Sequence, residues 1–170
     1  LATTLFTPVN LQKDICMTAV AAQDSRNYFL LPQTPEESSY YTYGTPGRGA
    51  AQYAHAKMLT FIFLLDFHWG EVDERKIGIG NISLAGGVKF PPHRGHRTGL
   101  EADIRPMRKG GERLPVRFTD SQYDRQATQK LVDSIWRTGM VRRVIFNDVL
   151  IPRVQRMIGH DDHLHVEVIG

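Results

Sequence analysis

Apolar positions recur at helical spacing between Ala51 and Trp69. Ala54, Met58, Phe61, Ile62 and Leu65 fall at i, i+4, i+7, i+8 and i+11, which is one face of a helix. Phe63 and Leu64 widen the apolar arc, so the pattern predicts a well-buried helix. Ile77, Ile79 and Ile82 predict a strand over 76–83, closed by the Gly86-Gly87 turn. Tyr123, Ala127, Leu131 and Ile135 recur every four residues and predict a second helix over 121–138. Thr119 and Gln122 are expected as its capping box and Gly139 as its stop. Val141 to Phe146 reads as a strand, and a short helical turn is expected after Pro152.

The pattern changes to strict alternation over His163 to Val168. Leu164, Val166 and Val168 then share one face, and His163, His165 and Glu167 the other. Upstream, Gly99 interrupts any helix joining His96 to Asp103, so His96 is expected on a loop and Asp103 on the strand that follows. Leu100, Ala102 and Ile104 would face inward there, opposite Glu101, Asp103 and Arg105. Residues 1–45 show little periodicity and are expected to wrap irregularly over the core, anchored by Tyr40, Tyr41 and Tyr43 and closed by a turn at 44–47. The expected fold is α+β: one domain over 1–170, with a core over 46–170 built on a small, mainly antiparallel sheet with flanking helices.

Composition narrows the class without choosing a function. The chain has 170 residues, 41% hydrophobic and 23% charged, which fits a soluble globular domain and excludes a fibrous or wholly disordered one. Its formal charge of +3 suits an anionic polymer but selects none. The apolar run Met58–Leu65 is far shorter than the ~20 residues a bilayer span requires, so no membrane insertion is expected. The Leu-Ala-Thr-Thr start has neither a basic region nor a long apolar stretch, and no signal peptide is expected in it. Cys16 is the sole cysteine, which rules out an intramolecular disulfide and a cysteine-based metal site; a small buried apolar residue is the expected role.

Of seven histidines, five fall in two clusters: His93 and His96, then His160, His163 and His165. Zinc in catalytic sites takes three protein ligands and leaves a fourth position for water. With sulfur excluded, imidazoles and an interposed carboxylate are the natural donors. His163 and His165 lie two apart on one strand, with Cα atoms roughly 6.5 Å apart. One can bind the ion while the other stands beside the bound water, and the spacing does not say which. His55 and His68 stand alone and are read as ordinary residues.

Two stretches carry a family resemblance. Gly95-His96-Arg-Thr-Gly-Leu-Glu-Ala-Asp103-Ile104 resembles the His-x6-Asp motif of the LAS metallopeptidases (lysostaphin-type, D-Ala-D-Ala peptidases and hedgehog), and His163-Leu-His165 resembles their His-x-His motif. Leu84 to Phe90, followed by His93-x-x-His96-x-Thr-Gly-Leu and later by His160-x-x-His163-x-His165, is similar to the penicillin-insensitive murein endopeptidases. The likeness runs from about residue 43 to 168 and is specific over 84–104 and 160–168. It implies an LAS/hedgehog-like fold in which His96, Asp103 and His165 hold one zinc ion (Zn2+) per chain. His163 would be the catalytic histidine, handling protons and steadying the oxyanion, with His93 and His160 as further active-site histidines. Glu101 stands where relatives often have Asp, and no counterparts of ligands to a second metal are evident.

The implied activity is zinc-dependent hydrolysis of an amide bond in peptidoglycan, foremost the D-Ala–diaminopimelate cross-link. An L-Ala–D-Glu endopeptidase or a D,D-carboxypeptidase, serving as a lysin or secreted effector, would use the same residues. Glu167 or Asp161 would accept hydrogen bonds from the ligand imidazoles. Arg94, Arg97 or Arg105 could take a substrate carboxylate. The expected setting is periplasmic or secreted, the expected partner is peptidoglycan or its fragments, and the expected state is a monomer, with an immunity or secretion partner if the chain is an effector. Two other classes fit less well. A non-catalytic zinc module would not need His163, and a metal-dependent nuclease, suggested by His160-Asp161, would require interleaved aromatic and basic residues that are missing, so no nucleic acid is expected.

Overall fold

The computed structural model describes residues 21–93 and 95–170; Cys16, Arg94 and the expected wrap over 1–20 lie outside them. The elements in order are β1 (Phe29–Leu30), β2 (Tyr40–Thr42), β3 (Tyr53–Ala54), α1 (Ala56–Gly70), β4 (Ile77–Ile79), β5 (Glu101–Ile104), α2 (Arg125–Arg137), β6 (Val141–Ile145) and β7 (Leu164–Val168). A five-stranded sheet has the order β2-β4-β5-β7-β6, antiparallel except for the parallel pair β2 and β4. β1 and β3 form a separate antiparallel ribbon. The expected α+β class with a mainly antiparallel sheet is the class observed.

The sheet has two chemically distinct faces because β5 and β7 alternate in register. Ala102 pairs with Val166 and Ile104 with Leu164, and all four are fully buried. They belong to one core with Met58, Phe61, Ile62 and Leu65 of α1 and Leu131, Val132 and Ile135 of α2. Burying each such aliphatic side chain contributes about 1.5–3 kcal/mol. Asp103 pairs with His165 and Glu101 with Glu167, so the polar set shares the opposite face.

β6 joins this sheet with one extra residue. Val144 opposes Val166 and Arg143 opposes Glu167, but Val141, rather than Arg142, opposes Val168. This β-bulge keeps a valine over the core, where uninterrupted alternation would have placed an arginine, and leaves Arg142 exposed.

Several expectations are corrected. Tyr40–Thr42 is not irregular wrap but an edge strand beside β4, with Tyr40 buried and its hydroxyl donating to the Pro32 carbonyl at 3.0 Å. α1 is buried on one face only, since Phe63, Leu64 and Phe67 are 45%, 37% and 64% exposed. His55 is its N-cap, with Nδ1 accepting the Lys57 N–H at 3.1 Å. β4 ends at Ile79, and Ile82 reaches the core from the loop beyond. α2 starts four residues later than expected. Asp124, not Thr119 with Gln122, caps it by accepting the Ala127 N–H at 2.9 Å. Gly139 stops it as expected, in the left-handed region (φ 69°). No helical turn follows Pro152. The backbone there bonds alongside β6 instead, Gln155 N–H to the Val144 carbonyl (2.8 Å) and Phe146 N–H to that of Gln155 (2.9 Å). Among the described residues no helix is long and apolar enough to cross a membrane.

The segment leading to β1 is held by a buried ion pair. The Asp24 side chain is only 2% exposed and accepts from Arg26 Nη2 at 2.6 Å. Burial opposes its ionisation, yet the Arg26 guanidinium and the N–H groups of Gly86, Arg26 and Tyr28 hold its carboxyl at about 2. A folded pKa below the unfolded one stabilises the protein above the unfolded value, and that contribution is lost as pH falls through the folded one. Asp24→Asn is therefore expected to cost about 2 kcal/mol at pH 7, a deficit that closes between about pH 4 and pH 2. Urea melts of both proteins across that range check it.

Candidate metal centre

The register of β5 and β7 does most of the assembly. Asp103 and His165 stand directly opposite on the polar face, which brings His165 Nδ1 to 3.2 Å from Asp103 Oδ1. His96 arrives from the preceding loop, with Nε2 3.1 Å from Asp103 Oδ1 and 3.1 Å from His165 Nδ1. These three atoms form a nearly equilateral triangle. Donors around a tetrahedral ion with bonds of about 2.0–2.1 Å stand about 3.3 Å apart. The triangle is thus close to the spacing a metal needs, in a site where His96 is 1% and Asp103 5% exposed.

Local backbone chemistry places His96. It adopts φ 58°, a left-handed conformation unusual for a residue other than glycine and commonest where surrounding structure enforces it. Its N–H donates to the Glu101 carboxylate, and a Cβ at Gly95 would collide with that same carboxylate. Glycine before His96 is therefore what lets Glu101 hold the loop. The ring is fixed from behind by the Ile82 carbonyl, 3.1 Å from Nδ1. A carbonyl only accepts, so Nδ1 carries a proton, and Nε2 is the ring nitrogen that faces the triangle and would give up its own proton to a metal. His93, His96 and Asp103 have donor atoms within 4.8 Å of one another, as do His96, Glu101 and His165. The cluster can hold a metal ion.

The electrostatics fit a cation. Burial favours the neutral form of Asp103, but hydrogen bonds with His165 and His96 outweigh it and hold the carboxyl well below the usual range. Burial opposes charging of His96 as well, and the Asp103 carboxylate reverses the balance and raises its pKa. His93 is lowered by burial and by His96, and His160 by burial and by His163, which shifts both toward the neutral form.

His163 stands beside the triangle, not in it. Its Nε2 is 3.7 Å from Asp103 Oδ1, and its Nδ1 is 2.8 Å from Asp162 Oδ1. A carboxylate holding Nδ1–H leaves Nε2 as the free base, directed at the centre. His93 Nδ1 lies 3.9 Å from Asp103 Oδ2, and its Nε2 contacts Asn81 Nδ2 at 3.0 Å. His160 packs 4.8 Å from the His163 ring and 5.7 Å from that of His165, with Nδ1 turned to the Met157 carbonyl at 3.1 Å.

Other expected residues separate. Glu167 is the carboxylate that His165 Nε2 faces, at 3.7 Å, too long for a hydrogen bond, and Arg143 pairs with it. The two facing glutamates of β5 and β7 thus have separate partners, Glu101 the His96 N–H and Glu167 the Arg143 guanidinium. Asp161 does not support a histidine; its carboxylate accepts from Asn147 Nδ2 at 2.6 Å. Arg97 is exposed and donates to the Gly87 carbonyl at 3.0 Å, bracing the 85–87 turn. Arg105 lies along the same strand direction but beyond the triangle, with Nη1 on Tyr41 Oη and the Arg113 carbonyl. Sequence reasoning missed Asp162, although its position next to His163 was a usable signal. It also missed Asn81, whose role depends on a fold contact that no local pattern reveals. No family model matches the chain, and no curated protein is significantly similar to it.

Proposed function

We propose that the chain is a zinc-dependent peptidase that cuts an amide bond in murein cross-links or stem peptides, with the LAS/hedgehog-like fold its motifs resemble. The observation that carries this reading is the triangle of His96 Nε2, Asp103 Oδ1 and His165 Nδ1, with the free base of His163 standing outside it. Two imidazoles and one carboxylate suit zinc, and three protein donors leave room for water and a substrate carbonyl.

Zinc held by His96, Asp103 and His165 would supply Lewis-acid polarisation of the scissile carbonyl and would lower the pKa of a bound water to about 7. His163 Nε2 takes the proton from the attacking water as the C–O bond forms. The same nitrogen then gives that proton to the departing amine as the C–N bond breaks, so the base is regenerated. Asp162 keeps Nδ1 protonated through both steps and so keeps Nε2 aimed at the reacting atoms. His93 and His160, both shifted toward the neutral form, add little positive charge that would weaken the hold on a cation, and His93, whose Nε2 accepts from Asn81 Nδ2, keeps its Nδ1–H for a developing oxyanion.

Incubating zinc-loaded protein with purified murein and weighing the released fragments by mass spectrometry tests the proposal. Chelator-sensitive release of muropeptides is expected, with masses that name the bond: the D-Ala–diaminopimelate cross-link first, an L-Ala–D-Glu or terminal D-Ala bond otherwise. A folded, zinc-replete protein that released nothing from murein or from isolated stem peptides would overturn it.

A further inference from the structure

A cavity of about 490 Å³ adjoins the metal centre, within the range of small-ligand sites (about 300–1,000 Å³). Its lining includes Gln33, Thr42, Tyr43, Arg48, Gln52 and Arg105, and none of the triangle. The two sites share a wall. Tyr43 points its hydroxyl at the Asp103 carbonyl (3.5 Å), and Asn81 joins the Thr45 N–H at the cavity rim (3.0 Å) to His93 (3.0 Å).

Most polar groups of the lining are already committed. Gln52 Nε2 donates to the carbonyls of Tyr43, Ile79 and Gly80, its Oε1 accepts from Gln33, and Gln33 Oε1 accepts from Thr42. The half-buried guanidinium of Arg105 is only partly committed. It lies 4.0 Å from the Tyr43 ring centre and 5.9 Å from that of Tyr41, fixed in orientation. Nη1 is held by Tyr41 Oη (3.2 Å) and the Arg113 carbonyl (2.6 Å), while Nη2 and Nε have no protein partner among the described residues. Nor does any carboxylate among them lie within 4.0 Å of Arg105, whereas Arg26, Arg75, Arg125 and Arg143 each have one. A cation drawn partly out of water without a counter-charge is unfavourable until an anion meets it, and a planar fork with two free N–H edges matches a carboxylate.

We propose that this cavity is the subsite for a free carboxylate of the peptide ligand, held by Arg105 with Arg48 as flanking charge; the identification of the ligand as a peptide rests on the peptidase reading above. The carboxylate docks on Nη2 and Nε, and the chain of the peptide runs past Tyr43 toward the zinc site.

Calorimetric titration of the zinc-free protein with the tripeptide L-Ala-γ-D-Glu-diaminopimelate, with its fully amidated form and with inorganic phosphate tests this. Amidation is expected to weaken binding to wild type about 10- to 100-fold. R105M is expected to bind acid and amide alike, R105K to recover part of the difference, and R48M to lose less than R105M, with folding of each checked by circular dichroism. Undiminished discrimination in folded R105M, or in R105K and R48M together should R105M not fold, would overturn the subsite. Displacement of the peptide by phosphate at lower concentration than by acetate would overturn the assignment to a carboxylate. Discrimination without any cleavage of murein would leave the subsite standing and remove the peptidase. Cleavage with a KM indifferent to amidation would do the reverse.

Discussion

Replacing His163 by alanine is expected to lower the rate of murein hydrolysis by about 10²–10⁴-fold, the usual contribution of a positioned general base. Zinc content and melting temperature should stay close to wild type. The division follows from geometry: His163 is absent from the 3.1–3.2 Å triangle, and its only hydrogen bond among the described residues is with Asp162, its own neighbour. Removing it leaves the triangle and the core face of β7 untouched. Initial rates from fragment release, measured with atomic-absorption zinc counts on the same samples, check both halves. A variant that lost zinc together with activity would show that His163 is a ligand and that the roles of His163 and His165 need exchanging. Rates that stayed near wild type would remove it from the mechanism.

Asp103→Ala is expected to abolish zinc binding, the larger structural consequence of the two. Asp103 Oδ1 is the corner common to both histidine contacts, so its loss leaves two imidazoles facing each other with no anion between them. A ligand that binds only the folded state stabilises it by about 2.7 kcal/mol at a free concentration one hundred times its Kd. For a domain of this size that corresponds to a rise of roughly 5–10 °C in Tm. Wild type should show that rise on adding zinc and lose it on adding chelator, and Asp103→Ala should show neither. The variant should also melt below zinc-free wild type, because buried His96 and His165 lose a charged acceptor worth about 1–3 kcal/mol. Differential scanning fluorimetry with and without zinc measures all four states. A variant that still rose with zinc would place the ion elsewhere.

The features most legible in the sequence were those with a strict period. Alternation over His163–Val168 announced which residues face the core and which face away from it, although β7 begins only at Leu164, and the same reading of 100–105 put Asp103 on the face away from the core. Helical spacing found α1 and α2 and the residues that bury them. What failed was whatever depended on contacts from far along the chain. Three residues of β2 are too few to show a period, and they become a strand only because β4 offers a parallel edge. The turn after Pro152 looked helical in isolation, but the open side of β6 offered its backbone N–H and C=O groups better partners. At the start of α2, Thr119 and Gln122 made a plausible capping box, yet Asp124 sits nearer the first buried turn and takes the cap. The apolar arc of α1 was read as wider than the core, because nothing local tells Phe63 or Leu64 that no element among the described residues buries them. At the site, residue types and spacing pointed to the cluster. The resemblance already implied His163 as the proton carrier; the contact that orients it, the tautomer of His96 and the free edge of Arg105 required three-dimensional neighbours.

The extra residue in β6 has a consequence for how this chain tolerates changes in length. The bulge sits between Val141 and Arg143, outside every facing pair that builds the core or supports His165. Removing Arg142 alone would leave Val141 over Val168 and Arg143 over Glu167, and the strand would simply become regular. Losing Arg143 gives the same sequence as losing Arg142, whereas losing Val144 would bring Arg143 opposite Val166 on the core face or turn over the rest of the strand. Kindred chains can therefore differ by one residue at this point and keep the same centre, whereas one residue gained or lost within β5 or β7 would turn its donors inward.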